Sequence, residues 1–282
     1  MNKHGLARNI PADVKRTVRQ RDGFGCVVCG QAVIEYEHFD PEFAEAKCHD
    51  PAGIILLCIS CHGLKTRGRL SRETIQKHLI APKAKQAGFS HGAFDVGDRH
   101  PDVLLGNILN QNVPILLKVR DDVLLSVKKP EVAGGPFRLS AFLTDRHGRL
   151  QLGITDNEWL SPISNWDVTV VGPRIVIRSS IRDVELVIRT DPPSRLVVEK
   201  LRMAHKEFYI ECSDGNPTVF KAGSITLSTN AAVLDGCQVG IAVTEDGGIV
   251  IGVGGGSVYM GDLQSGTSPK VEQADNVVPL FS

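Results

Sequence analysis

The chain has 282 residues with 32 basic and 32 acidic side chains, so its formal net charge is zero. That balance excludes a uniformly basic nucleic-acid coat protein and makes any polyanion-binding surface local. Hydrophobic residues at 42% and charged residues at 23% exclude disordered and fibrous classes, and the length favours two domains.

Residues 1 to 11 hold no apolar run of the kind that directs secretion. No stretch is long enough to span a bilayer, so a soluble, cytoplasmic protein with no membrane partner is expected. In PADVKRTVRQR (residues 11 to 21), Pro11 and Asp13 near the start and Val14 and Val18 on one face predict a short basic helix. DGFGCVVCG follows, its glycines letting the backbone turn two sulfurs toward one ion. Val33 to His38 reads as a strand, Asp40 to Asp50 as an irregular loop, and Gly53 to Leu57 as a buried strand. A helix should open over Ser60 to Leu64. A second, capped by Ser71 with Glu73 behind it, should end before Pro82.

Residues 81 to 114 lack sustained periodicity and read as a linker, with a short helix around Val103 to Leu109. Beyond Ile115 the pattern becomes short Val/Ile/Leu runs, such as Ile115 to Val119, Val123 to Val127, Val168 to Val171, Arg174 to Ile177 and Val184 to Ile188. Turns fall at Asp145 to Gly148, Asp214 to Pro217 and Asp246 to Gly248. This spacing predicts an all-β sandwich, barrel or solenoid over 115 to 263. Residues 264 to 282 read as a flexible tail able to dock through Val277 to Phe281. The expected class is α+β: a module at 1 to 80, the linker, then the all-β region.

Four of the seven cysteines form two C-x-x-C pairs, Cys26/Cys29 and Cys58/Cys61. Four thiolates close a tetrahedron and leave no position for water, so the pattern predicts a structural Zn²⁺ in a reducing compartment. Cys48, Cys212 and Cys237 read as small buried hydrophobes.

Around the pairs stand Glu37-His38, with Pro41 three residues later, and the stretch L-L-C-x-x-C-H-x-x-K from Leu56 to Lys65. In these motifs, in this order, the first 75 to 80 residues resemble the HNH endonuclease family. The resemblance implies a β-hairpin and helix around a catalytic divalent ion (Mg²⁺, Mn²⁺ or another), with Glu37 and His62 as its ligands and His38 as general base. It also implies hydrolysis of DNA that leaves a 5′ phosphate. The sequence departs from the family at Gly53, where Asn often stands five residues before the third cysteine; Asp50 and His49 lie close enough in the loop to substitute.

Basic residues flank the motifs. Lys3, Arg8, Lys15, Arg16, Arg19 and Arg21 face one acid, Asp13. Lys65, Arg67, Arg69, Arg72, Lys77, Lys83 and Lys85 face Glu73, and Lys65 and Arg67 are the leading candidates for backbone phosphate contacts. The β region carries no catalytic signature. Gly254 to Gly256 reads as a turn or tight backbone packing before another strand, Trp159 and Trp166 as core or recognition aromatics, and Asp156, Asn157 and Glu158 as a polar rim. By resemblance this region would choose the target, sense a small-molecule activator or modified base, or mediate homo-oligomer assembly. The expected protein is a metal-dependent DNA endonuclease in bacterial or phage restriction or antiviral defence. The alternative is a non-catalytic zinc-dependent DNA-binding or adaptor protein on the same scaffold.

Overall fold

A computed structural model describes residues 1–213 and 215–261. Helical spacing governs the start. Helix α1 (Ala12–Asp22) ends at Gly23, which adopts the left-handed conformation at φ 80°. Strands β1 (Ile34–His38) and β2 (Ile54–Cys58) pair antiparallel, with Glu37 opposite Ile55 and His38 opposite Ile54. Helix α2 (Ile59–Thr66) leaves directly from β2, and α3 (Arg72–Ile80) starts with the Ser71 side chain accepting from the Thr74 amide. Helix α4 (Lys83–Ala87) follows Pro82.

The apolar run of β2 is continuous because both of its faces are covered. Ile54 and Leu56 pack with Ile10, Val14 and Val18 on the α1 side. Ile55 and Leu57 pack with Ile75, Phe39 and the cysteines on the other. Each such side chain contributes on the order of 1.5–3 kcal/mol, an upper figure for a chain already partly collapsed when unfolded.

The rest of the described chain is sheet. The first strands are β3 (Phe89–Ala93), β4 (Asp102–Leu105), β5 (Ile108–Gln111), β6 (Ile115–Val119), β7 (Asp122–Lys128), β8 (Arg138–Thr144), β9 (Leu150–Thr155) and β10 (Glu158–Pro162). Then come β11 (Asp167–Val171), β12 (Arg174–Arg178), β13 (Val184–Asp191), β14 (Arg195–His205), β15 (Phe208–Ser213) and β16 (Thr218–Ala222). The series closes with β17 (Ile225–Thr229), β18 (Ala232–Asp235), β19 (Val239–Val243), β20 (Ile249–Val253) and β21 (Ser257–Met260). An eight-stranded sheet runs β20-β19-β6-β7-β8-β9-β10-β3. An eleven-stranded sheet runs β11-β12-β13-β14-β4-β5-β18-β21, with β15, β16 and β17 branching from β14. One apolar core draws on both sheets, from Leu117, Leu125 and Leu143 to Leu186, Leu201 and Phe208. The described residues are thus mostly β, with a small α/β part at the start and no closed barrel.

Three expectations need correction. Residues 81 to 114 are built into the structure: α4 and β3 to β5 lie there, and β3 is the edge of the eight-stranded sheet beside β10. The helix expected around Val103 to Leu109 is instead the β4–β5 hairpin, turning at Gly106-Asn107 with Gly106 at φ 59°. A glycine at the first central turn position is a hairpin signal, and alternating burial on both strands confirms the period of two. Asp156 and Asn157 both have positive φ and form the β9–β10 turn. Asn157 is no rim residue, since it is buried and bonds the Leu139 amide and the Phe137 carbonyl. The turn at Asp214 to Pro217 lies partly, and the tail at 264 to 282 wholly, outside the described residues.

The small α/β part is seated on the sheets. Phe24 and Ala32 belong to the sheet core, and Gln31 bridges to His91 at the exposed edge of β3. At the opposite sheet Arg19 forms a buried two-pronged bond with Asp167, Nε to Oδ1 at 2.8 Å and Nη2 to Oδ2 at 2.6 Å. Burial works against the Arg19 charge, but the bonds to Asp167 and Tyr36 outweigh it and raise its pKa.

Candidate active site and metal centre

The two C-x-x-C turns meet although 28 residues separate Cys29 from Cys58. The β1–β2 hairpin closes that interval. All four Sγ atoms lie within 4.8 Å of one another, and Cys29 and Cys58 Sγ are 3.6 Å apart. A tetrahedral thiolate site with Zn–S of about 2.3 Å needs S–S of about 3.8 Å, so the set fits a zinc ion. Tight local backbone makes the first turn. The Gly30 amide donates to the Cys26 carbonyl at 2.8 Å, and a Cβ on Gly25 would sit 2.4 Å from the Gly30 carbonyl oxygen. In the second turn Cys58 Sγ accepts from the Cys61 amide at 3.4 Å.

Charge points the same way. Hydrogen bonding from the Cys29 thiol, together with backbone amides, pulls Cys26 down to about 5 against the cost of burial. The bond to Cys26 pushes Cys29 up, and burial beside the other sulfurs pushes Cys61 up to about 12. Four thiolates packed this closely would repel one another, and a cation at the centre would offset that repulsion. Among the described residues this is the only group of three or more His, Cys, Asp or Glu side chains whose ligand atoms converge so closely.

The acid–histidine residues lie beside it. Side chains alternate along β1, so Glu35 and Glu37 share the face that meets α2. His62, the residue after Cys61 in α2, places Nδ1 2.5 Å from Glu35 Oε2 and Nε2 3.1 Å from Glu37 Oε2. The structure thus brings Glu37 and His62 together. It adds Glu35, which sequence reading missed and which the period of two, counted back from Glu37, could have found. Lys65, one helical turn beyond Cys61, donates to Glu37 Oε1 at 2.5 Å and is therefore paired. Arg67, at the end of α2, is exposed and forms no ion pair among the described residues.

His38 points to the opposite face of the hairpin. It is buried, its Nε2 is 3.0 Å from His49 Nδ1, and its ring meets Phe43 edge-on with centroids 5.4 Å apart. Burial, with the neighbouring His49, pulls its pKa below the ordinary imidazole value despite Glu37. Cys48 beside His49 is exposed, in contrast to the expected buried thiol, whereas Cys212 and Cys237 are buried as expected. At Gly53 any side chain is excluded sterically. A Cβ there would lie 2.2 Å from the Asp40 carbonyl oxygen, and the Gly53 carbonyl already accepts from the Phe39 and Asp40 amides. Asp50 does not enter the site, because its side chain caps the short turn Pro51–Gly53 through the Ala52 amide.

The two tryptophans divide. Trp159 is buried against Gly92, whereas Trp166 lies under the Arg16 guanidinium, 5.4 Å from its ring centroid. No helix among the described residues is long and apolar enough to cross a membrane. Compared with known proteins, the chain matches no family model, no curated protein and no solved structure.

Proposed function

We propose that the N-terminal module is a zinc-stapled nuclease that hydrolyses phosphodiester bonds in DNA with the help of a divalent ion. The observation that supports this most directly is the meeting of Glu37 and His62 across β1 and α2, Nε2 to Oε2 at 3.1 Å. A strand carboxylate and a helix imidazole in contact are the two protein ligands that a Mg²⁺ or Mn²⁺ ion would take, with substrate phosphate and water completing its sphere. Glu35 on Nδ1 then fixes the ring with Nε2 turned toward Glu37, where the two would share an ion. When bound, the ion neutralises charge on the scissile phosphate and on the leaving 3′ oxygen.

His38 is the base in this reading. Its depressed pKa favours the neutral imidazole, and in the tautomer whose Nε2–H donates to His49 Nδ1 the His38 Nδ1 is the proton acceptor. Glu37 and His38 are the last two residues of β1, so in this reading the phosphate would lie across the strand end, between the two faces. The β region would select the target or gate access to it.

The Lys65 ammonium on Glu37 favours a second reading, a DNA-binding scaffold without catalysis, because it already neutralises the carboxylate that would hold the ion. Incubation with supercoiled plasmid in Mg²⁺ or Mn²⁺ decides between them. Nicking by the native protein and its loss in His38→Ala, with zinc content retained, is the expected result. Equal nicking by the variant overturns the base assignment, and no nicking by either protein leaves the scaffold reading.

A further inference from the structure

Six cations precede the first cysteine, and the fold sorts them into two groups. Lys3 pairs with Glu45, Arg19 with Asp167 and Arg21 with Asp22. Arg8, Lys15 and Arg16 have no carboxylate partner among the described residues. Each is instead laid over an aromatic ring: Arg8 on Phe43 at 5.1 Å, Lys15 on Tyr36 at 5.6 Å and Arg16 on Trp166 at 5.4 Å from the centroid.

Packing of this kind holds a long side chain in place without cancelling its charge. The three rings also give the cations an order. Trp166 belongs to the loop before β11, Tyr36 is the middle residue of β1, and the Phe43 ring touches His38. A line of uncancelled positive charge therefore leads from the sheet region along α1 to the buried histidine. The Lys65 and Glu37 pair lies on the other face of the hairpin, so its charges do not offset this line.

We infer that Arg8, Lys15 and Arg16 form the track that binds the DNA phosphate backbone and leads it to His38, with Trp166 contributed by the sheet region to hold the far end. The inference rests on the reading of the module as one that acts on DNA. It replaces Lys65 as the leading phosphate contact, because the Lys65 charge is taken by Glu37. Phosphates bound along a cationic line give affinity and register but no base readout, so the track is indifferent to sequence.

The test is binding of the full chain to a short labelled DNA duplex, by anisotropy over about 50 to 200 mM salt, without added divalent ion. Each lost phosphate contact lowers the slope of log affinity against log salt by about 0.9, so R8Q/K15Q/R16Q should lower it by about 3. At low salt its affinity should fall about tenfold or more, while K15R/R16K and the distant K128Q/K129Q stay at the native slope. Zinc content and melting temperature equal to the native protein's establish that the triple variant is folded. A native slope in the folded triple variant overturns the track, as does an equal loss in K128Q/K129Q or no binding by the native protein. Because no cleavage is needed, the track can stand in a protein that nicks nothing, and nicking can occur in one whose track fails.

Discussion

Removing the charge of Asp167 tests whether the sheet region holds the site module rather than merely touching it. The Arg19 and Asp167 side chains are 9% and 4% exposed, and their two bonds, 2.6 and 2.8 Å, place a guanidinium flat against a carboxylate. Asp167→Asn keeps the shape but retains one acceptor oxygen, turns an amide NH2 donor against the guanidinium and leaves the buried Arg19 charge without its counter-charge, beside the Tyr36 hydroxyl at 2.6 Å. Breaking a buried pair from one side costs about 3–5 kcal/mol, a large part of a total stability of about 5–15 kcal/mol. At about 2–4 °C per kcal/mol for a chain of this size, the melting temperature should drop by about 6–20 °C. The double variant Arg19→Met with Asp167→Leu removes both charges into similar volume and should recover most of the loss. Differential scanning calorimetry of the three proteins reads this directly. A drop worth under about 1 kcal/mol in Asp167→Asn, as for an exposed pair, or no recovery in the double variant, would refute the reasoning.

Removal of the metal should change thiol chemistry in a defined order. With the cluster loaded, a neutral alkylating reagent should modify Cys48, the exposed thiol; after chelation Cys26, Cys29, Cys58 and Cys61 should follow, as peptide mass mapping would show. Alkylation of the four at one rate before and after chelation would contradict a metal-held cluster. His100 should contribute to acid sensitivity. Burial lowers its pKa against the opposing pull of the Pro101 and Val113 backbone, its Nδ1 donates to the Pro101 carbonyl at 3.0 Å, and its Nε2 is sealed from solvent without a well-formed hydrogen bond among the described residues. The folded state thus prefers the neutral ring: its contribution is complete above the unfolded value of about 6.5 and is lost as pH falls through the lower folded value. Urea titrations across that window should show a shallower decline in His100→Gln than in the native protein, and identical declines would remove His100 from the account.

Much of the small α/β part was legible from residues. Helix α1, the strand ending at His38, the apolar strand before Cys58 and the Ser71 cap follow from local propensity and spacing, and these act within a few residues. The β4–β5 hairpin was missed because the apolar run hid its period, although the Gly106-Asn107 turn signal was present.

By itself the sequence determined the four-cysteine set and the mostly β character after Ile115, since each depends on spacing along the chain. Tertiary structure alone decided what each charge is worth. Lys65 is taken by Glu37 while Arg8, Lys15 and Arg16 remain uncancelled among the described residues, and His38 and Glu37, neighbours in sequence, face opposite sides of one strand. Only packing excludes a side chain at Gly53 and joins Arg19 to a carboxylate 148 residues away. Coulomb attraction, burial and steric exclusion act through space, and the folded chain sets those distances.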